Sequence, residues 1–489
     1  MTLKDKLQRL ARLDLYEASV AQTDGATFFL ARCGAEKVAG AIGASDLAGD
    51  RVGEIDAMCV VVGPTSHANA EIVRRRLPWT APVCIGPKTS VGLGDRLGLA
   101  TPGHVRAVRG TGIACVLAQQ SIREMTRTGR SPQQVMDDVT WGVLQEGFKQ
   151  GFGADADHLK TTEDIDATMA AGFVMFTIDP GDHVDNEADT LGAGELNDRF
   201  EALPWDRLEA SGKDQIALYA GRTIDLDLSD RTFDQGALVR AAVKYGRAVA
   251  HSAAMARHIR RRAGERAVEI EISVDETESP TSALEHYYIA AEFKRLGVEW
   301  AALAPRFVGR FEKGVDYIGD LGQFEACFAG HCRVAECFGG YKMSIHSGSD
   351  KFSIYEICAR HAAGRIHLKT AGTSYLEAIR TIAAVEETLF REILEFARSR
   401  YETDRRSYHV SADLAKVPRP EQCAAMSADE LLNQFDTRQV LHVTFGAVLQ
   451  AQGGRRFKRR LLAALEAHED LHYQNLCTHL GRHVAPLVR

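Results

Sequence analysis

The stretch that most constrains this chain is YKMSIHSGSDKF, residues 341–352. Met343 and Ile345 alternate with Lys342, Ser344 and His346, so one face is apolar and the other carries chemistry. A period of two predicts a strand. Ser347-Gly348-Ser349-Asp350 then reads as a tight turn with Asp350 as a helix N-cap, followed by FSIYEICARHAAG at helical spacing with Gly364 at its end. RIHLKTAGTS, residues 365–374, repeats the pattern, with Ile366 and Leu368 to one side and His367, Lys369 and Thr370 to the other. Consecutive βα units with polar strand ends are expected of parallel strands that line a barrel, its helices outside and its active site at the strand C-termini.

The remaining chain is read against that expectation. Strand candidates begin near residues 83, 153, 173, 268, 299, 341, 365 and 441, with helical patterns between them, including 111–150, about 236–264 and about 374–435. The fold class is therefore α/β: a (β/α)8 TIM-like barrel over 81–489, with an N-terminal extension over 1–80 packing on it. The acidic, aperiodic stretch from 181 to about 235 reads as a long loop insertion, where active-site lids often sit.

Composition excludes several function classes. The net charge of −7 lacks the basic footprint of a nucleic-acid binder, and no apolar run approaches the roughly 20 residues that span a bilayer. The N-terminus mixes charge with a helical leucine pattern and has no apolar signal-peptide core, so a cytoplasmic protein is expected. Ten cysteines without a CxxC pair signal neither a zinc ribbon nor a redox motif. Whether the chain forms a homo-oligomer is left open.

Four strand ends supply Asp157-His158, Glu271 with Asp275, His346, and His367 with Lys369. A single histidine in a barrel is usually a hydrogen-bonded core residue. Several at strand ends, beside carboxylates, suit a divalent cation that takes imidazole and oxygen ligands from different strands. Periodicity turns His346 and His367 inward, but it cannot place the adjacent Asp157 and His158 on one side. Arg306, Arg310 and Lys313 follow a strand end and could clamp a carboxylate, while the Gly-rich loop after 87 offers Asp95 and Arg96 as substrate contacts.

Taken together, GADADHLKT, FTIDPGDHV, VDETESPTS, LAPRFVGRFEKGVDYIGDL, GGYKMSIHSGSDKFS and HLKTAGTSYLEA resemble the bacterial tagaturonate/fructuronate epimerase family, from about residue 80 onward. The resemblance implies a cytoplasmic, divalent-metal-dependent enzyme (Mn²⁺, Ni²⁺, Co²⁺ or Zn²⁺) that interconverts two small hexuronates in hexuronate catabolism. Numbered from the carboxylate, the ketone is C5 and the inverted carbon C3, which is α to neither carbonyl. Retro-aldol cleavage of C3–C4 and re-closure on the other face can invert it. By analogy with class II aldolases, Asp157 is then the acid/base at the C3 hydroxyl, and His158, His346 and His367 are the metal ligands. Glu271 or Asp275 is the second proton carrier, and Arg306, Lys369, Ser347 and Asp350 are substrate contacts. Alternatives are another metal-dependent sugar isomerase or aldolase, a Schiff-base enzyme using Lys369 or Lys342, and a non-catalytic sugar-acid-binding protein.

Overall fold

The structure is a computed structural model that describes residues 1–224, 232–423 and 426–488. After a helix Leu3–Ala11, six short strands form one sheet: β1 (Leu13–Leu15), β2 (Ala21–Thr23), β3 (Ala26–Cys33), β4 (Glu36–Gly43), β5 (Asp50–Ile55) and β6 (Met58–Pro64). Every pairing in this sheet is antiparallel. Its two faces bury separate apolar sets, Phe28 and Leu30 toward Trp141 and Leu144, Phe29 and Ala31 toward Leu7 and Leu13.

Eight further strands close a parallel barrel: β7 (Ser90–Gly92), β8 (Ala114–Ser121), β9 (Gly153–Leu159), β10 (Met175–Ile178), β11 (Glu269–Val274), β12 (Ala302–Pro305), β13 (Lys342–Ile345) and β14 (Ile366–Lys369). The (β/α)8 architecture is thus present, and six of the strand positions agree with the periodicity. Two do not. Residues 83–87 are not a strand; Val83 donates a single backbone bond to Phe152, and the first barrel strand begins at Ser90. Residues 441–449 are helical, within Phe435–Val443 and Phe445–Gln450, because all their faces are buried and an all-round apolar run has no period to read. The strand they were expected to supply is β8, inside the region 111–150 that reads as helix. A capping box marks its end: Ser121 accepts from the Glu124 N–H and Glu124 reaches back to Ser121, starting the helix Ile122–Thr128.

The apolar core lies between the outward faces of the barrel strands and the helices, from Phe176 and Ile272 to Tyr288 and Phe328. The inward-facing positions hold the buried polar set, Asp155, Thr177, Glu271, Ser344 and Lys369 among them, beside the small Ala302 and Ala304 of β12. The helices after β14, from Thr373–Val385 to Lys458–Ala467, bury a second core of their own around Ile379, Phe390 and Leu441. In the expected insertion, the helices Ala193–Glu201 and Gly212–Tyr219 pack on the outer helices, with Phe200 and Leu208 in the core and Tyr219 and Gln215 donating to the buried Glu292 at 2.6 and 2.9 Å. Residues 225–231 of that insertion lie outside the described residues.

Candidate active site

Strand β9 carries the site, and its irregularity explains why. Phe176 and Ile178 on β10 pair with Ala156 and Leu159, so β9 holds one extra residue there. His158 takes up this excess at φ +50°, a left-handed conformation rare outside glycine. With the alternation broken, Asp157 and His158 both face the barrel mouth, a side-by-side placement that a regular strand forbids.

Beneath them sits Lys369 on β14. Its Nζ lies 2.8 Å from Asp155 Oδ2, 2.7 Å from Asp157 Oδ1 and 2.8 Å from Glu271 Oε1, and it donates to Thr177 Oγ1 at 2.8 Å. Burial disfavours the ammonium, but Asp155, Asp157 and Glu271 outweigh it and hold the Lys369 pKa well above that of a free lysine. This is the reverse of what a Schiff-base lysine needs, and Lys342, at the opposite end of its strand, is sealed inside the barrel. Lys369 therefore organises carboxylates. Asp155 was not legible as a site residue, although the alternation in Asp155-Ala156-Asp157 places it on the same inward side; burial raises its pKa, partly offset by Lys369.

His346, at the end of β13, stands between two acids: Nε2 is 2.6 Å from Glu271 Oε1 and Nδ1 is 3.1 Å from Asp275 Oδ1. His158 Nδ1 is 3.2 Å from Asp179 Oδ2, and the two imidazoles meet edge to face with centroids 4.9 Å apart. Burial pulls both rings toward neutrality, but the carboxylates win. Asp157 and Asp179 raise His158 to about 10, and Asp275 and Glu271 raise His346 to about 9. Conversely, burial would raise the acids, yet Lys369 and the imidazoles hold Asp157 and Glu271 far below the usual carboxylate range, as His346 does Asp275. Asp157 Oδ2 also accepts from Gln119 Nε2 at 3.0 Å, a β8 residue missed together with its strand.

The donor set fits a divalent cation. One ligand atom each from Asp157, His158 and His346 lies within 4.8 Å of the others. Asp155, Asp157 and Glu271 surround the buried Lys369 ammonium, while Asp179 pairs with His158 and Asp275 with His346. Bound there, a dication would need both imidazoles neutral and would compete with protons for them. His367 stands apart from this group: its Nδ1 is 2.8 Å from Ser90 Oγ, its Nε2 has no partner among the described residues, and burial lowers its pKa to about 3.

Above the site, Arg96, Arg123, Lys313 and Ser347 line the cleft. Glu124 accepts from Arg96 at 3.0 and 2.6 Å, Arg123 reaches Glu276 at 3.3 Å, and Lys313 Nζ donates to Ser347 Oγ at 2.7 Å. Burial, and then Arg123 alongside, lower the Lys313 pKa. Asp95 points instead into its own loop, accepting from the N–H groups of Leu97, Gly98 and Ala100.

The structure does not bring Arg306 or Asp350 to this lining. The Arg306 guanidinium donates to the Thr277 carbonyl, and Arg310 is an exposed partner of Glu312. Asp350 is not a helix cap, since the next helix is Tyr355–His361. It is buried against Arg438 at 3.0 Å and His479 at 2.7 Å, and its N–H donates to His483 Nε2 at 2.9 Å. Arg438 and His479 overcome burial and hold its carboxyl well below the usual range, while burial lowers His483 to about 3.

Comparison with known proteins gives one consistent answer. A model of the tagaturonate epimerase family matches residues 16–487. The tagaturonate/fructuronate epimerase of Thermotoga maritima is 42% identical over 474 residues, 96% of each chain. The fructuronate-tagaturonate epimerase UxaE of Cohnella laeviribosi, in a crystal structure with one glycerol, superposes with a TM-score of 0.91 at 38% identity, covering 99% of this chain and 98% of that one. A crystal structure of the same enzyme with two glycerols gives 0.92 at 37% identity, covering 99% of both chains. With its fold and nearly its whole length matched, the chain belongs to the tagaturonate epimerase family.

Proposed function

We propose that this protein interconverts D-tagaturonate and D-fructuronate by cleaving and re-forming the C3–C4 bond. The observation that supports this chemistry best is the convergence of Asp157, His158 and His346 at the barrel mouth. His158 and His346 would hold a divalent cation (Mn²⁺, Ni²⁺, Co²⁺ or Zn²⁺) beside Asp157. When bound, such a cation supplies Lewis acidity to the substrate's carbonyl.

The chain's own residues handle the proton and the geometry. Asp157, kept ionised by Lys369, accepts the C3 hydroxyl proton as the C3–C4 bond breaks. The bonding pair then becomes the C4–C5 double bond of a three-carbon enediolate, and C3 becomes an aldehyde. After the aldehyde turns its other face, the same pair attacks C3 and Asp157 returns the proton to the C3 oxygen, so atoms and electrons balance without a redox partner. Glu271, fully buried, holds the His346 ring from one side, and Asp275, less buried, holds it from the other and is the better placed second proton carrier. The cations Arg96, Arg123 and Lys313 that line the cleft suit a small anionic sugar.

The test is NMR of D-tagaturonate with purified, metal-analysed protein in D2O. The expected product is D-fructuronate that keeps its C3 proton, because C–C cleavage never breaks the C3–H bond. Deuterium at C3 would rule the cleavage route out; no fructuronate would end the substrate assignment.

A further inference from the structure

At the mouth of the barrel one cation, Lys313, has no carboxylate in contact with it among the described residues. Arg96 and Arg123 each face an acid, Glu124 and Glu276. Lys313 has Ser347 Oγ as its hydrogen-bond partner at 2.7 Å, and among the described residues no carboxylate pairs with it. Arg96 adds a further donor: Nε and Nη2 are occupied by Glu124, Cζ lies 3.7 Å from the centroid of the Phe445 ring, and Nη1, in a side chain 3% exposed, has no partner among the described residues. Of the three cations only Lys313 lacks a carboxylate in contact among the described residues, Glu124 and Glu276 acting on it from further off, and Arg96 and Lys313 line the same cleft as Asp157.

A desolvated cation beside a free guanidinium N–H is costly unless a ligand completes it. The Lys313 ammonium and the Arg96 Nη1 N–H are two donors that the two oxygens of one carboxylate can take, and the carboxyl carbon of a hexuronate is only two bonds from the C3 on which Asp157 acts. We propose that Lys313, with Arg96 Nη1, binds the substrate carboxylate and is the residue that selects sugar acids over neutral sugars of the same size. Ser347 holds the Lys313 ammonium over the cleft, which ties this subsite to the turn directly after His346. This inference rests on the hexuronate reading above for its substrate, and on the carboxylate-free setting of Lys313 for its residue.

The test has a kinetic arm and a binding arm. In Lys313→Met, KM for D-tagaturonate should rise about 30-fold with kcat changed by less than about threefold, and Lys313→Arg should recover most of the loss. By calorimetry, D-gluconate should bind Lys313→Met about 30-fold more weakly than it binds the unaltered protein, whereas neutral galactitol should bind both alike. An unchanged KM, an equal loss for gluconate and galactitol, or no gluconate binding by the unaltered protein would each overturn the proposal. If the unaltered protein fails to turn over tagaturonate, the substrate assignment falls, and the gluconate titration still decides the role of Lys313.

Discussion

Lys369 Nζ on β14 lies 2.7 Å from Asp157 Oδ1 on β9, across the barrel from a strand separated from it by β7 and β8. This contact, with those to Asp155 and Glu271, draws opposite walls of the barrel onto one charge. Lys369→Met would leave buried carboxylates uncompensated. Stability should fall by about 3–5 kcal/mol, read as a lowered denaturant midpoint with unchanged m-value.

Asp157→Asn keeps the shape and the Gln119 neighbour but removes the proton acceptor. Turnover of tagaturonate should drop by about a thousandfold, while metal content, measured by mass spectrometry of the folded protein, stays near that of the unaltered chain. Loss of the metal instead would make Asp157 a ligand and leave the proton step to another group.

Removing the metal with a chelator should abolish epimerisation, and Mn²⁺, Ni²⁺, Co²⁺ or Zn²⁺ should restore it. His346→Ala should lose both metal and turnover. Turnover that survives in His346→Ala with metal content unchanged would remove that residue from the site.

Acid sensitivity should come from neutral buried histidines outside the site. Burial lowers His331 and His104 to about 4, and His331 Nδ1 is 2.9 Å from His286 Nδ1, so both rings cannot be charged together. The unfolded chain takes up these protons near pH 6.5, whereas the folded chain resists until about pH 4. Stability is therefore full above about 6.5 and falls as pH drops toward 4, by at most about 3 kcal/mol per histidine. Thermal melts from pH 7 to 4 should show this slope, and His331→Gln should flatten it.

Much of this was legible in the sequence, and the parts that were not share a physical cause. On β13 and β14 each apolar residue faces the helices and each polar one the interior, so alternation alone placed His346 and Lys369 correctly. Asp157 and His158 defeated that reasoning because the bulge that seats them is a backbone event with no mark in side-chain pattern. Strand β8 was lost because Val116, Leu117 and Ala118 are buried on both faces and show no period, although the Ser121 and Glu124 capping signal stood beside it. Lys369 was legible as a site residue but not as a counterion, since the acids that surround it come from strands far away in the chain. The same holds for Asp350, whose partners Arg438, His479 and His483 lie near the other end of the sequence.

That last arrangement bears on how the enzyme comes to life on the ribosome. The turn leaving β13, just past His346, is clasped by His479 and His483, which are synthesised 129 and 133 residues after Asp350. Every barrel strand has emerged long before those histidines do. A nascent chain can thus close its barrel early and still lack the clasp that fixes the His346 turn, so catalytic competence should arrive as a late step, separate in time from compaction.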